Sequence, residues 1–175
     1  MSRTAAILLT VLLIGLPASA TRVTVPGTTV SVDAPSGFVP MPKSVIERKY
    51  PRGSDLPVAV YSTPGPDWDV RVAFALHNHT LPAGDLTPVQ AELEDMVVST
   101  PGLLRWVNRS IIKSGGREWI DLQFWITRLD LDTKNYNHVR VTRQGQKTLV
   151  VSAFVPLTQY SRYGTQLDAA MNGLK

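Results

Sequence analysis

The last third of this 175-residue chain places the tightest constraint on its fold. Three alternating or continuous apolar stretches, at residues 118–129, 136–142 and 147–155, follow one another with only short turns between them. Strands joined so closely cannot run parallel, because a parallel crossover needs a dozen or more residues, so they predict an antiparallel meander. After them, Tyr160, Tyr163, Leu167, Ala170, Met171 and Leu174 recur at helical spacing, which predicts an amphipathic helix over about residues 158–174 lying on that sheet. The expected class is α+β, a central antiparallel sheet with helices packed on its faces.

Earlier segments agree with this class. Further strand patterns fall at residues 22–25, 28–32, 57–62, 70–79 and 107–113, separated by turn chemistry such as Pro26-Gly27, Pro64-Gly65-Pro66 and Gly115-Gly116. A second helix is expected to open at Thr87-Pro88-Val89-Gln90, a capping box with proline in the first turn. Its stripe is Val89, Leu93, Met96 and Val97, and it stops before Pro101-Gly102. No repeat or linker divides the chain, so residues 21–175 are expected to form a single domain.

Residues 1–20 read as an export leader. Arg3 is followed by a twelve-residue uncharged run from Ala5 to Leu16, then Pro17 and the small residues Ala18, Ser19 and Ala20. The run falls short of the roughly 20 residues that a membrane-spanning helix needs. Cleavage after Ala20, directed by Ala18 and Ala20, is therefore expected, with a periplasmic or secreted destination and no stable membrane insertion. The chain has no cysteine, which excludes disulfides, cysteine nucleophiles and a lipidated N-terminal cysteine. Losing Arg3 takes 18 basic side chains to 17 against 14 acidic ones, a net charge of +3. The densest basic group is Lys43, Arg48, Lys49 and Arg52; with no basic helix or ribbon, a nucleic-acid partner is not expected.

The order of elements resembles a known layout. Val-Asp-Ala-Pro-Ser-Gly-Phe at residues 32–38, a hairpin, a central helix, Gly-Arg-Glu-Trp at 116–119, the 136–143 strand, Gly145, Leu-Val-Val at 149–151 and a terminal helix are similar to the PsbP-like α/β/α sandwich. That superfamily includes extrinsic photosystem proteins and the DcrB-like envelope proteins. The resemblance implies helices on both faces of the sheet. It also implies a non-catalytic binding or accessory role in the cell envelope, with another envelope or secreted protein as the expected partner. An immunity-type protein that neutralises an exported toxin is an alternative. The lipidated cysteine of many envelope members is missing here.

Two groups of side chains stand out as candidate sites. His77 and His79 project to the same side of a strand end, a spacing that chelates zinc or copper, with His138 as a third ligand and Asp121 as a carboxylate alternative. A periplasmic metal-binding protein is the corresponding alternative function; otherwise no cofactor is expected. The second group lies on the mixed face of residues 119–127: Trp119, Asp121, Gln123 and Trp125, with Tyr136, His138 and Arg140 from the next strand. Such a face is either a binding patch rich in aromatic and arginine side chains or core beneath a helix. Tryptophan's usual burial favours core, which would leave only His138 and Arg140 at the rim. No nucleophile elbow, zincin motif or phosphate loop is present, and no catalytic residue is nominated. Residues 130–135 depart from a calcium loop at Lys134 and predict a polar hairpin turn.

Overall fold

In the computed structural model, residues 21–50, 56–128 and 132–175 are described. The expected leader, with Ala18 and Ala20, lies outside them, as does Arg52 of the basic group. Chain order is β1 (Thr21–Thr24), β2 (Ser31–Ala34), β3 (Val39–Pro40), α1 (Lys43–Lys49), β4 (Ala59–Ser62), β5 (Arg71–His77) and α2 (Thr87–Val98). There follow β6 (Leu103–Ser114), β7 (Arg117–Arg128), β8 (Thr133–Gln144), β9 (Lys147–Pro156) and α3 (Leu157–Asn172). Seven strands pair in the order β3-β4-β5-β9-β8-β7-β6, every neighbour antiparallel, while β1 and β2 form a separate hairpin.

The meander is the part of the fold that its sequence dictates most directly. Gly115 and Gly116 both have positive φ, +58° and +74°, as a two-residue turn of the type that matches strand twist requires. A Cβ at Gly115 would stand 2.6 Å from the Cα of Lys175, so glycine is needed there for space as well. The chain end is close because Lys175 exchanges two backbone hydrogen bonds with Ser31 of β2, at 2.9 and 3.1 Å.

Three layers result. On one face α3 lays Leu167, Ala170 and Met171, followed by Leu174, against Trp119, Trp125, Tyr136, Leu149, Val151 and Val155. On the other, Val89, Leu93 and Val97 of α2 pack toward Ile120, Leu122, Phe124 and Val141, and α1 sets Val45 beside Val60 and Ala73. Burying each such side chain contributes roughly 1.5–3 kcal/mol. Strand β7 is thus covered on both sides, as the middle layer of a sandwich must be. No helix among the described residues is long and apolar enough to cross a membrane.

Several expectations need correction. The N-cap of α2 is Leu86, and the residue before it, Asp85, accepts through its carboxylate from the Thr87 N–H (2.9 Å) and the Thr87 hydroxyl (2.6 Å). Thr87 is consequently inside the helix, and Gln90 donates to Glu94 instead of reaching back. Met96 points away from the core and is 64% exposed. Strand β2 starts late because Thr28 closes the preceding turn, its hydroxyl donating to Val25 O at 2.9 Å. Strand β3 and helix α1 escape periodicity reading because two and seven residues are too few to display a period.

Candidate functional site

The mixed face of β7 and β8 is interior. Trp119, Asp121, Trp125, Tyr136, His138 and Arg140 are each at most 6% exposed, covered by α3, so they are not an open binding patch. His138 and Arg140 do not sit at a rim either. The physical reason is that α3 brings its own polar groups to meet them: Asp168 and Asn172 flank its apolar stripe on the sheet side.

These groups make one connected network. His138 lies between two carboxylates, with Nε2 2.8 Å from Asp121 and Nδ1 2.9 Å from Asp168. Arg140 donates through Nε to Asp121 at 2.5 Å, through Nη1 to the carbonyl of Met171 at 2.6 Å and through Nη2 to Asn172 at 2.7 Å. The hydroxyl of Tyr136 donates to Asp168 at 2.9 Å, and the amide of Asn108 donates to Asp121 at 2.8 Å. Among the described residues no buried side-chain polar atom lacks a partner. Two carboxylates face one guanidinium and one imidazole, so a protonated His138 makes the group neutral.

The electrostatics follow from that arrangement. Burial opposes ionisation of Asp121, but hydrogen bonds and positive charge from His138 and Arg140 outweigh it and hold the carboxyl well below its usual range. For His138, burial disfavours the cation, yet hydrogen bonds to Asp121 and Asp168 and their negative charge win and raise its pKa. Burial, with the charge of Asp168 next, pushes the Tyr136 phenol up. Chemically, this is an anchor for α3. Arg140 supplies the positive charge at the helix C-terminus that the last turn of α3 itself lacks. Sequence reading missed Asp168 and Asn172, although four polar side chains on a covered strand face require polar partners from the covering helix.

The candidate metal set is only partly brought together. His77 and His79 stand side by side at the end of β5, with ring centroids 5.8 Å apart. His138 is elsewhere: it pairs with Ala153, which pairs with Val72, five residues from His77 along β5 and two strands away from it. That is roughly 17 Å along the strand, and Asp121 is one strand farther. The expected three-ligand set therefore does not form, and among the described residues no group of three or more histidine, aspartate or glutamate side chains is arranged to hold a metal.

An open site exists at the opposite end of the sheet. A concavity of about 560 Å³ lies where the β7–β8 connection, the end of β9 and the start of α3 meet. Phe154, Pro156 and Leu157 give it apolar walls, and Asp69, Thr127, Asp132, Thr133, Lys134, Asn135 and Thr158 give it polar ones. Its volume is in the usual range of small-ligand sites, roughly 300–1,000 Å³. One of its lining residues, Asp132, is a non-glycine residue with positive φ, at 47°. Such backbone costs of order 1–3 kcal/mol per residue and concentrates at functional sites. Lys49 holds Asp69 at 3.1 Å, and the Arg71 guanidinium covers the Phe154 ring at 4.1 Å. Residues 130 and 131 of the expected polar turn lie outside the described residues; Asp132 to Asn135 form its far side and line the concavity. Its walls come from four separate elements, so no local sequence pattern could reveal it.

No family model and no curated protein matches the chain. Solved structures do. The chain is similar to the cyanobacterial PsbP protein of Synechocystis, with a TM-score of 0.60, 13% identity and coverage of 93% of this chain and 94% of that one. It is similar also to LpqN of Mycobacterium tuberculosis, described as involved in cell envelope biogenesis, with a TM-score of 0.58, 16% identity and coverage of 89% and 88%. PA94 of Pseudomonas aeruginosa, a protein of unknown function and putative regulator, matches with a TM-score of 0.53, 13% identity and coverage of 77% and 94%. The fold is thus PsbP-like, as the element order suggested.

Proposed function

We propose that this chain is an exported, non-catalytic accessory protein of the cell envelope that binds a partner protein through the concavity at the β9–α3 end of its sheet. The observation that carries the reading is the concavity itself, lined in part by Asp132 in left-handed backbone. It offers hydroxyls, amides and carboxylates beside an aromatic and two apolar side chains, a mixture suited to recognising a peptide surface. The leader at residues 1–20 supports export. The likeness to LpqN supports an envelope setting by analogy of fold, which leaves the partner open. His138, with Asp121 and Asp168, is engaged in anchoring α3 and does not line the concavity.

The test is recovery of partners from an envelope fraction on tagged residues 21–175, quantified by mass spectrometry against a Thr158→Arg variant. Thr158 is exposed at the concavity mouth, so arginine there fills the site without disturbing the core. A partner captured by the wild type and depleted at least about tenfold by the variant, a loss of about 1.4 kcal/mol in binding, is the expected result. Equal recovery of every captured protein by both forms would overturn the assignment of the site.

A further inference from the structure

We propose that His77 and His79 form a two-histidine site for a divalent transition-metal ion, with Cu(II) preferred. The pair lies at the end of β5 remote from the concavity: Arg71, at the other end of the strand, is paired with Phe154, and His77 is six residues farther on, roughly 20 Å away. Nothing in this inference depends on the proposed partner site.

Three observations converge on it. The first is spacing. With metal–nitrogen bonds of about 2.0–2.1 Å to one nitrogen of each imidazole, cis ligands at the roughly right angle that Cu(II) prefers set the ring centroids roughly 4.5 Å apart, and a tetrahedral angle roughly 5 Å. The observed separation is 5.8 Å with the planes tilted by 43°, within roughly 1–1.5 Å of a chelating arrangement that a turn of the exposed His79 ring approaches. The second is access: His77 is half-buried and His79 exposed, so two or more positions on the metal stay open to water. The third is backbone support. The carbonyl of His79 accepts from the buried Thr148 hydroxyl at 2.8 Å, and the Thr80 hydroxyl donates to the carbonyl of Gln146 at 2.6 Å. These bonds hold the segment just past the strand end against β9, so the second histidine is not on a loose loop. A ligand pair whose supporting backbone is already fixed loses little entropy when the metal binds. Imidazole nitrogen suits copper, nickel and zinc, and among divalent ions copper ranks highest in affinity for such donors.

The experiment uses residues 21–175 and copper chloride alone. Calorimetric titration is expected to show one Cu(II) per chain, and electron paramagnetic resonance to show hyperfine structure from two equivalent nitrogens. His77→Ala and His79→Ala are each expected to weaken binding by at least about tenfold, since losing a ligand costs no less than losing a group that orients one. Both positions are outside the core, so circular dichroism should show the variants folded. The proposal is overturned if the double variant binds Cu(II) as the wild type does. It is overturned equally if the wild type shows no binding tighter than about 1 mM, some 4 kcal/mol.

Discussion

At the scale of single residues, the decisive one is His138, an imidazole with no exposed surface set between two carboxylates. Because its folded pKa is raised above the ordinary 6.5, the folded state holds this proton more tightly than the unfolded chain does. The resulting stability is complete below pH 6.5 and is lost as pH rises through the folded value. Asp121 works in the opposite sense: its depressed pKa gives stability that is present above 3.8 and lost as pH falls through its folded value. The charged or titratable groups facing the histidine are Asp121, Asp168, Arg140 and Tyr136, with Tyr160 behind; both phenols are raised and titrate above this window. Urea midpoints measured from pH 5 to pH 9 should therefore decline on the alkaline side in the wild type, and a folded His138→Asn variant should lack that decline. An identical slope in both would remove His138 as its cause. Arg140 tests the same cluster differently. Arg140→Met leaves Asp121 buried without its guanidinium and takes the cation from the end of α3, so it should cost about 3–5 kcal/mol in denaturant unfolding.

At the scale of elements, α3 shows what was legible and what was not. Its stripe of Tyr160, Tyr163, Leu167, Ala170, Met171 and Leu174 could be read directly, because apolar spacing reports which side meets a sheet, and these residues do pack there. The polar anchor could not be read from the helix alone, since Asp168 and Asn172 acquire meaning only opposite His138 and Arg140 on β8, whose pairing no spacing supplies. Gly164 presents the same contrast. Propensity marks it as a weakness of about 1 kcal/mol. In the fold, a Cβ there would meet the Tyr160 ring at 2.7–2.9 Å, and that ring packs 4.8 Å from Trp125 and 5.0 Å from Tyr136. The missing side chain is what lets Tyr160 fold back over its own helix to complete the aromatic cluster. Gly164→Ala should thus lower stability by about 1 kcal/mol net, the overpacking cost of 1–3 kcal/mol exceeding the helical gain. A rise in thermal midpoint would mean that the ring moves aside freely.

At the scale of the whole molecule, two helices cover comparable tasks on opposite faces with unequal means. The antiparallel meander and its covering helix were legible because short turns leave strands one way to pair; the position of β9 between β5 and β8 was not, since it joins segments some 70 residues apart. That arrangement makes α3 central, lying over β8 and β9 and tied to β2 through the chain end. It buries Gly164, Leu167, Ala170 and Met171 and is pinned by Arg140 and His138. By contrast, α2 has no fully buried residue and leaves Met96 and Val98 more than 60% exposed; the Arg109–Glu94 pair at 2.8 Å ties it to β6, with Arg109 half exposed. An exposed pair of that kind contributes about 0–1 kcal/mol. Local opening follows burial and polar anchoring. Native-state hydrogen exchange should therefore find α2 amides opening at free energies several kcal/mol below the global value, while amides of α3 and β7 to β9 exchange only with complete unfolding. Adding Arg140→Met should bring α3 toward the level of α2 and leave α2 unchanged. If instead both helices exchange together in the wild type, the asymmetry between the two faces is not expressed in stability, and the buried network is not what fixes α3 to the sheet.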